Sequence, residues 1–172
     1  MSFLELAKQR YSVRKYTDQK VEEEKLNMIL EAGRVAPTGA NKQNQRILVI
    51  QSEEGNAKLN KTANTYGAPL NLLVCGEIDK AWVRPYDGKN INDIDTSIVT
   101  DHMMLQAADL GLGSVWICYF DPEVLKKEFN LPENIEPMHI LSIGYADGEP
   151  QSPDRHDKMR LPKEQTIFFE SL

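Results

Sequence analysis

Residues 21–51 read VEEEKLNMILEAGRVAPTGANKQNQRILVIQ, and they predict a helix, a polar loop and a strand, in that order. Small or apolar residues recur at the three- and four-residue spacing of one helix face: Leu26, Ile29, Leu30 and Gly33. Acidic residues fill the first turn of this helix, and Pro37 and Gly39 end it after residue 35. The β-branched run over residues 47–51 predicts the strand.

Helices and strands continue to interleave on both sides of this stretch. Residues 2–10 predict a helix with a Ser2 capping box. Further helices are predicted over residues 52–63, 93–110 and 121–130, further strands over 70–77, 114–120 and 139–146, and loops over 79–92 and 147–162. The tail, residues 162–172, is interpreted as a short docking segment. Because the first two elements are both helices and no strict βαβ order follows, we predict one α+β domain over residues 1–172. Its helices pack around a mixed or antiparallel central sheet.

Composition narrows the class of protein. A chain of 172 residues with 41% hydrophobic residues supports a core without disulfides or a structural metal. The net charge of −6 disfavours general binding to nucleic acid or to an anionic membrane. Cys75 and Cys118 form no CxxC pair and have no histidine at metal-ligand spacing, so we expect no metal site. No apolar run reaches the roughly 18 residues of a membrane span, and the polar N-terminus is untypical of a signal peptide. We therefore expect a cytoplasmic protein.

Two basic patterns are candidates for binding an anion. Arg10, Ser12 and Arg14 alternate after the first helix, and alternate residues face the same way in an extended chain. Two guanidinium groups and a hydroxyl would then converge on one phosphate. Lys158 and Arg160 show the same spacing near the C-terminus. The alternative for each pattern is a solvated basic surface.

Two further segments suit a flat ligand. The turn over residues 37–44 is rich in amides, which can both donate and accept hydrogen bonds at the edge of a heteroaromatic ring. Residues 111–113 read Gly-Leu-Gly and lead directly into a strand, whose far end could present backbone amides to such a ring. An ordinary Asn-rich turn and a plain helix–strand connection are the alternatives. No GxGxxG follows a strand and no GxxxxGK[ST] is present, so Rossmann and P-loop folds lack their best support.

Taken in order, these motifs resemble the nitroreductase family of FMN flavoproteins. The resemblance spans nearly the whole chain and rests on four matches: Arg10-x-Ser12-x-Arg14; Ala36-Pro37-Thr38 followed by Asn41-x-Gln43; Gly111-Leu112-Gly113 before Val115-Trp116-Ile117; and Gly144-Tyr145 before Lys158 and Arg160.

The sequence also departs from the family pattern. The family usually continues N-x-Q-P-W, whereas this chain has Asn44-Gln45. A glycine often follows the W-I segment, whereas Cys118 and Tyr119 occupy that place here. Bulk at Tyr119 would narrow the space over a flavin, and the loop at 79–92 leaves little room for lid helices. These differences affect the expected choice of substrate more than the expected binding of the flavin.

The resemblance implies an intertwined homodimer with FMN at the subunit interface. It implies cofactor-binding residues of three groups: Arg10, Tyr11, Ser12, Arg14, Lys158 and Arg160 around the phosphate and ribityl; Pro37, Thr38, Asn41 and Gln43 from the partner chain; and Trp116, Ile117, Cys118 and Tyr119, whose backbone lies beside the ring with an amide close to N5. Arg14 would also stabilise negative charge on the reduced ring. A separate indication of dimerisation is an apolar stripe on the helix at 93–110, which includes Ile94 and Leu105. The alternative is that this helix is the core helix of a monomer.

The function implied is an FMN-dependent NAD(P)H oxidoreductase. NADH or NADPH would deliver hydride to N5, and a nitroaromatic, quinone or similar small acceptor would then be reduced. The flavin carries the redox chemistry, so neither a catalytic side chain nor a metal is required. The alternatives are an FMN-binding sensor or storage protein with little turnover, a specialised flavin-dependent oxidase or dehalogenase of the same family, and an α+β interaction module without a cofactor.

Overall fold

A four-stranded antiparallel sheet organises the chain, which the computed structural model describes over residues 1–171. The strands are β1 (Gln45–Ile50), β2 (Leu70–Glu77), β3 (Gly113–Ile117) and β4 (Ile135–Gly144), and their order in the sheet is β1-β2-β4-β3. The two central strands, β2 and β4, pair from Leu70 opposite Ile143 to Glu77 opposite Ile135. The predicted α+β class with an antiparallel sheet is therefore confirmed.

The helices of the described chain lie on both sides of this sheet. They are α1 (Phe3–Gln9), α2 (Glu23–Val35), α3 (Glu53–Leu59), α4 (Asn92–Asp109), α5 (Pro122–Glu128) and α6 (His156–Met159). The predicted capping box at the start of α1 is present, because the Ser2 hydroxyl accepts from the Glu5 N–H and the Glu5 carboxylate accepts from the Ser2 N–H. None of these helices is long and apolar enough to cross a membrane.

Strand β2 shows how the sheet divides the core. Side chains alternate between the two faces of a strand. Leu72 and Val74 accordingly pack on the side of α2 and α4, whereas Leu73 and Cys75 pack on the opposite side, where α5 contributes Leu125. All of these residues are fully buried. Burying one such aliphatic side chain contributes roughly 1.5–3 kcal/mol, so the two apolar faces of β2 hold the layers together.

The buried face of α2 is the predicted one, because Leu26, Ile29 and Gly33 are buried. A Cβ atom on Gly33 would lie 2.9 Å from Met103 Cγ of α4. The absence of a side chain at Gly33 therefore allows α2 and α4 to approach closely.

The buried face of α4 differs from the apolar stripe predicted by its sequence. Its buried residues are Asn92, Asp95, Thr96, Val99, Thr100, Met103 and Ala107. The Thr96 and Thr100 hydroxyls donate to backbone carbonyls one turn earlier, at 2.8 and 2.7 Å, so their polar atoms are satisfied inside the core. Ile94, by contrast, is 45% exposed. Ile98, Leu105 and Ala108 on the same face are half-buried, so a single chain covers the apolar stripe only in part.

Several predicted boundaries were wrong. The helix predicted over residues 52–63 is α3, which ends at Leu59, and the strand predicted over 47–51 is β1, which begins at Gln45. Strand β3 ends at Ile117 rather than at residue 120, because the chain turns there to place Asp121 as the cap of α5, where it accepts from the N–H groups of Glu123 and Val124. Strand β4 begins at Ile135 rather than at residue 139, because β2 extends far enough to pair with it. Residues 147–162, predicted as a loop, contain a 3₁₀ turn at Pro153–Arg155 and the short helix α6.

Candidate functional site

The segment that carries Arg10, Ser12 and Arg14 runs beside β3. Ser12 forms a parallel bridge with Ser114, and the Val13 N–H donates to the Ser114 carbonyl at 2.9 Å. The Val13 side chain is only 3% exposed and packs in the core. Because successive residues of an extended chain face opposite ways, Ser12 and Arg14 lie on the side opposite to Val13, half-buried and exposed respectively. The predicted alternation is therefore present.

The C-terminal part of the chain packs against this same segment. Arg155 donates to the carbonyl oxygens of Lys8 and Arg10, at 3.0 and 2.6 Å. A ring nitrogen of His156 lies 3.2 Å from the Lys8 carbonyl. Sequence reasoning missed Arg155, although Ser152 followed by Pro153 is a recognisable signal for the start of a helical turn. The two ends of the chain meet at this contact.

Three guanidinium groups gather where the two ends meet. Arg10 is half-buried, and its pKa is lowered first by burial and then by the positive charges of Arg155 and Arg160, with Asp101 acting in the opposite direction. Like charges repel one another, so a bound anion would stabilise the group. The structure thus brings the predicted residues Arg10 and Arg160 together.

The arginines predicted or found near the chain ends differ from the other arginines in their salt-bridge partners. Over residues 1–171, three arginines form salt bridges with carboxylates: Arg34, Arg46 and Arg84. The remaining four, Arg10, Arg14, Arg155 and Arg160, form none in the same described range. Guanidinium groups commonly pair with carboxylate or phosphate in bidentate geometry. Four arginines without such a partner are typical of a site for an external anion.

The other predicted residues of the basic group lie at its edge. Tyr11 is half-buried and, with Arg10 and Ser114, lines a cavity of about 520 Å³ between the N-terminal segment, the end of α4 and residues 146–153. Lys158 lies on α6 and is exposed. No hydrogen bond or salt bridge among residues 1–171 joins Lys158 to the arginines, so its role stays a prediction.

Arg14 has an aromatic neighbour that the sequence did not reveal. Its guanidinium carbon lies 5.9 Å from the centre of the Tyr66 ring, within range of a cation–π contact. Tyr66 has a positive φ of 56° in the turn that precedes β2. The contact positions the exposed Arg14 side chain without neutralising its charge.

The amide-rich loop is a rigid structure of its own. The Gly39 N–H donates to the buried Asp95 carboxylate at 2.8 Å, and the Gln43 N–H donates to the Thr38 hydroxyl at 3.0 Å. Ala40, Asn41 and Gln43 all have positive φ angles, a conformation that non-glycine residues adopt rarely and at a cost. The loop therefore holds Asn41 and Gln43 exposed in a fixed, strained backbone, beside the exposed Pro37.

A buried amide pair supports the base of this loop. The Asn44 side-chain amide donates to the Asn92 side-chain oxygen at 2.7 Å, and both side chains are buried. A Cβ atom on Gly76 would lie only 1.9 Å from the Asn92 oxygen, so β2 needs glycine at this point. Over the described residues, no hydrogen bond or salt bridge links the loop over residues 37–43 to Arg10, Arg14, Arg155 or Arg160. The loop leads into β1, whereas the segment of Ser12 lies beside β3 at the opposite edge of the sheet, so one chain holds the two groups of predicted residues apart.

The end of β3 presents the third predicted group. Ile117 is 8% exposed with its side chain in the core, so only its backbone is available to a ligand. Cys118 is exposed, and Tyr119 is 94% exposed beside Thr62 and Asn64. The Tyr119 ring therefore projects away from its own chain. Trp116 is half-buried and packs edge-on against His139, with ring centroids 4.8 Å apart.

His139 is a second residue that sequence reasoning did not single out. It lies on β4, only 8% exposed. Burial lowers its pKa from 6.5 to about 4, and the nearby Asp93 carboxylate opposes this shift. The imidazole is therefore neutral at physiological pH.

A sheet between two helical layers, with arginines from both chain ends gathered at one place, defines an α+β protein with a candidate anion site. The chain belongs to the nitroreductase family, whose model matches residues 7–65 and 56–145. It is 29% identical to an FMN reductase (NAD(P)H) of Bacillus subtilis over 173 residues, which cover 89% of this chain and 67% of that protein.

Solved structures agree with this assignment. A nitroreductase family protein from Clostridium difficile 630 is 58% identical, with a TM-score of 0.99 and complete coverage of both chains. An FMN-dependent nitroreductase from Clostridium difficile R20291 is 28% identical, with a TM-score of 0.81, and covers 97% of this chain and 98% of that one. The family predicted from the motifs is confirmed.

The depressed pKa of His139 predicts how stability depends on pH. The unfolded state binds a proton near pH 6.5, whereas the folded state binds it only near pH 4. Stability is therefore fully present above the unfolded pKa and falls as the pH drops through this window. As the pH falls from above 6.5 to about 4, the free energy of unfolding, measured by urea titration, should decrease by roughly 2–3 kcal/mol more in the wild type than in His139→Gln. Parallel pH profiles for the two proteins would contradict the assignment.

Proposed function

We propose that this nitroreductase-family enzyme binds FMN and uses NADH or NADPH to reduce a small electron acceptor such as a nitroaromatic or a quinone. The observation that carries the proposal is the group of three arginines at the meeting of the chain ends, Arg10, Arg155 and Arg160. These three and Arg14 have no carboxylate partner among the described residues. A phosphate monoester supplies the double negative charge that such a group favours. The printed names of similar proteins, an FMN reductase and an FMN-dependent nitroreductase, support the same cofactor.

The residues at the meeting of the chain ends fit the phosphate of FMN. Arg10, Arg155 and Arg160 would hold the phosphate, because their mutual repulsion is relieved by an anion. The Ser12 hydroxyl would add a neutral hydrogen bond to the phosphate, and Tyr11 and Lys158 would lie at the border of the phosphate site. Arg14, on the same outer side as Ser12, would lie towards the flavin ring.

The ring would lie beside the chain that leaves β3. Trp116 and Ile117 are held by pairing with Leu141 and Ile140 of β4, so the backbone leading to Cys118 is fixed in position. When bound, the flavin accepts hydride from a nicotinamide and transfers it to the acceptor. The chain's own contribution is to neutralise the phosphate, to orient the ring and to shield one of its faces.

A second copy of the chain would complete the site. The loop carrying Pro37, Thr38, Asn41 and Gln43 is held rigid and apart from the arginines of its own chain, so we assign its exposed amides to the FMN bound by the partner. The α2–α4 groove, defined here by Met28, Val35 and Leu105, has a volume of about 1000 Å³. Met28 and Val35 are 45% and 60% exposed in the single chain. Such a surface is typical of an interface between copies.

Replacing Arg10 tests the phosphate site. Arg10→Ala should weaken FMN binding by about 1.5–3 kcal/mol, roughly 10- to 100-fold in Kd, because a charge-assisted hydrogen bond is lost. Titration of flavin fluorescence measures this change. Arg34→Ala is the matched control, since Arg34 already pairs with Glu31 and should leave the affinity unchanged. Equal affinities of the two variants would exclude Arg10 from the site.

Reduction of the bound flavin by a nicotinamide distinguishes an enzyme from a sensor or storage protein. Anaerobic addition of NADH or NADPH to the FMN-loaded protein should bleach the flavin absorbance, and a quinone or nitroaromatic should restore it. Bound FMN that neither nucleotide reduces would indicate a sensor or storage protein. Oxygen consumption without either acceptor would indicate an oxidase. A colourless protein that cannot be reconstituted with FMN would contradict the proposal as a whole.

A charge in the α2–α4 groove tests the dimer. Val35→Asp should convert a dimer into a monomer in light scattering and should lose FMN affinity with it, because the partner's loop leaves the site. Val49→Asp is the matched control, since Val49 is a 41% exposed valine on β1 outside the groove. A wild-type monomer with tight FMN binding would contradict the shared site.

A further inference from the structure

We propose that Cys118, together with His139 and Ser97, is a thiol-modification site that reacts with low-molecular-weight disulfides. Three side chains from three elements form this Cys118–His139–Ser97 chain: the connection after β3, strand β4 and helix α4. The Cys118 sulfur lies 3.7 Å from His139 Nδ1, and the Ser97 hydroxyl lies 3.2 Å from His139 Nε2. A nucleophile, a neighbouring imidazole and a third group that orients the imidazole are the arrangement by which proteins activate thiols.

The imidazole of this chain is held in place and uncharged. Trp116 packs edge-on against the His139 ring and fixes its plane. A neutral imidazole has one N–H to donate, and its other nitrogen accepts. If the Ser97 hydroxyl donates to Nε2, the proton lies on Nδ1 and points at the Cys118 sulfur. This contact orients the exposed sulfur, which is the nucleophilic atom of the site. Ser97 thus acts as a positioning residue.

The second cysteine of the chain provides an internal comparison. Cys75 lies on β2, is fully buried, and its pKa is raised to about 12 by that burial. It is neither accessible nor ionised at neutral pH. Cys118, in contrast, is exposed and has the His139 imidazole beside it. The two thiols should therefore react at very different rates.

The reaction is a thiol–disulfide exchange. The Cys118 thiol loses its proton to solvent, and the thiolate attacks one sulfur of the disulfide RS–SR along the S–S axis. A new bond forms between Cys118 and that sulfur, the original S–S bond breaks, and the released RS⁻ takes up a proton. Cys118 is oxidised to a mixed disulfide and the leaving sulfur is reduced to a thiol, so no other oxidant is needed.

Modification of Cys118 would affect the binding of FMN. This part of the inference rests on the proposed function. Cys118 lies in the segment assigned to the flavin ring, so bound FMN would cover the sulfur. A mixed disulfide at Cys118 would conversely occupy the place of the ring. FMN and the disulfide should therefore exclude each other.

The test uses the full chain at neutral pH with dithiobis(nitrobenzoic acid) as the disulfide. One thiol per chain should react rapidly, and Cys118→Ser should abolish this phase whereas Cys75→Ser should not. Ser97→Ala and His139→Gln should each slow the phase by roughly tenfold, the factor that corresponds to one hydrogen bond. Ser97 is half-buried on α4, so its variant remains informative if the buried His139 variant folds poorly.

Two results would overturn the inference. One is a Cys118 rate that is unchanged in Ser97→Ala and in folded His139→Gln. The other is a rapid phase that persists in Cys118→Ser. Saturation with FMN should slow the phase in the wild type. If FMN binds without protecting Cys118, the thiol site stands and the placement of the ring fails; if FMN does not bind at all, only the proposed function fails.

Discussion

The hydrogen bonds from Arg155 to the carbonyl groups of Lys8 and Arg10 tie the two ends of the chain together. They place Arg155 and Arg160 next to the half-buried Arg10, where the positive charges repel one another. A fold that gathers like charges at one point loses stability there unless an anion binds. Because an anion that binds only the folded state stabilises it, binding of the proposed phosphate would be thermodynamically linked to the docking of the C-terminal segment.

The sheet determines where the two ends of the chain come into contact. The N-terminal segment lies against β3 through Val13, and a Cβ atom on Gly113 would lie 2.6 Å from the Val13 side chain, so only glycine permits this approach. Beyond β4, Asp147 donates its N–H to the Lys15 carbonyl at 3.0 Å and its carboxylate pairs with Lys15. The segments before α2 and after β4 are thereby joined side by side, and the C-terminal residues that follow must return towards α1.

The sequence predicted those parts of the fold in which each residue type plays its usual role. Helix α2 and strand β2 belong to this group, whereas the meeting of Arg10 with Arg160 was implied only by the family resemblance. The buried face of α4 could not be predicted, because Thr96 and Thr100 satisfy their hydroxyls on their own helix and so enter the core, while Ile94 stays outside. Arg155 and His139 were missed for a related reason: their surroundings come from residues distant in sequence. The role of each predicted site residue in binding remains a prediction.

The strained loop over residues 38–43 explains why the site should be divided between two chains. Positive φ angles at Ala40, Asn41 and Gln43 cost of the order of 1–3 kcal/mol each, and such strain persists only where the surroundings impose it. Asp95 supplies that constraint from inside the core, at 2.8 Å from the Gly39 nitrogen. The result is a rigid row of exposed amides to which Arg10, Arg14, Arg155 and Arg160 of the same chain form no hydrogen bond. A ligand held between the arginines of one copy and the amides of another would use both preorganised surfaces, and neither half would need to rearrange on binding.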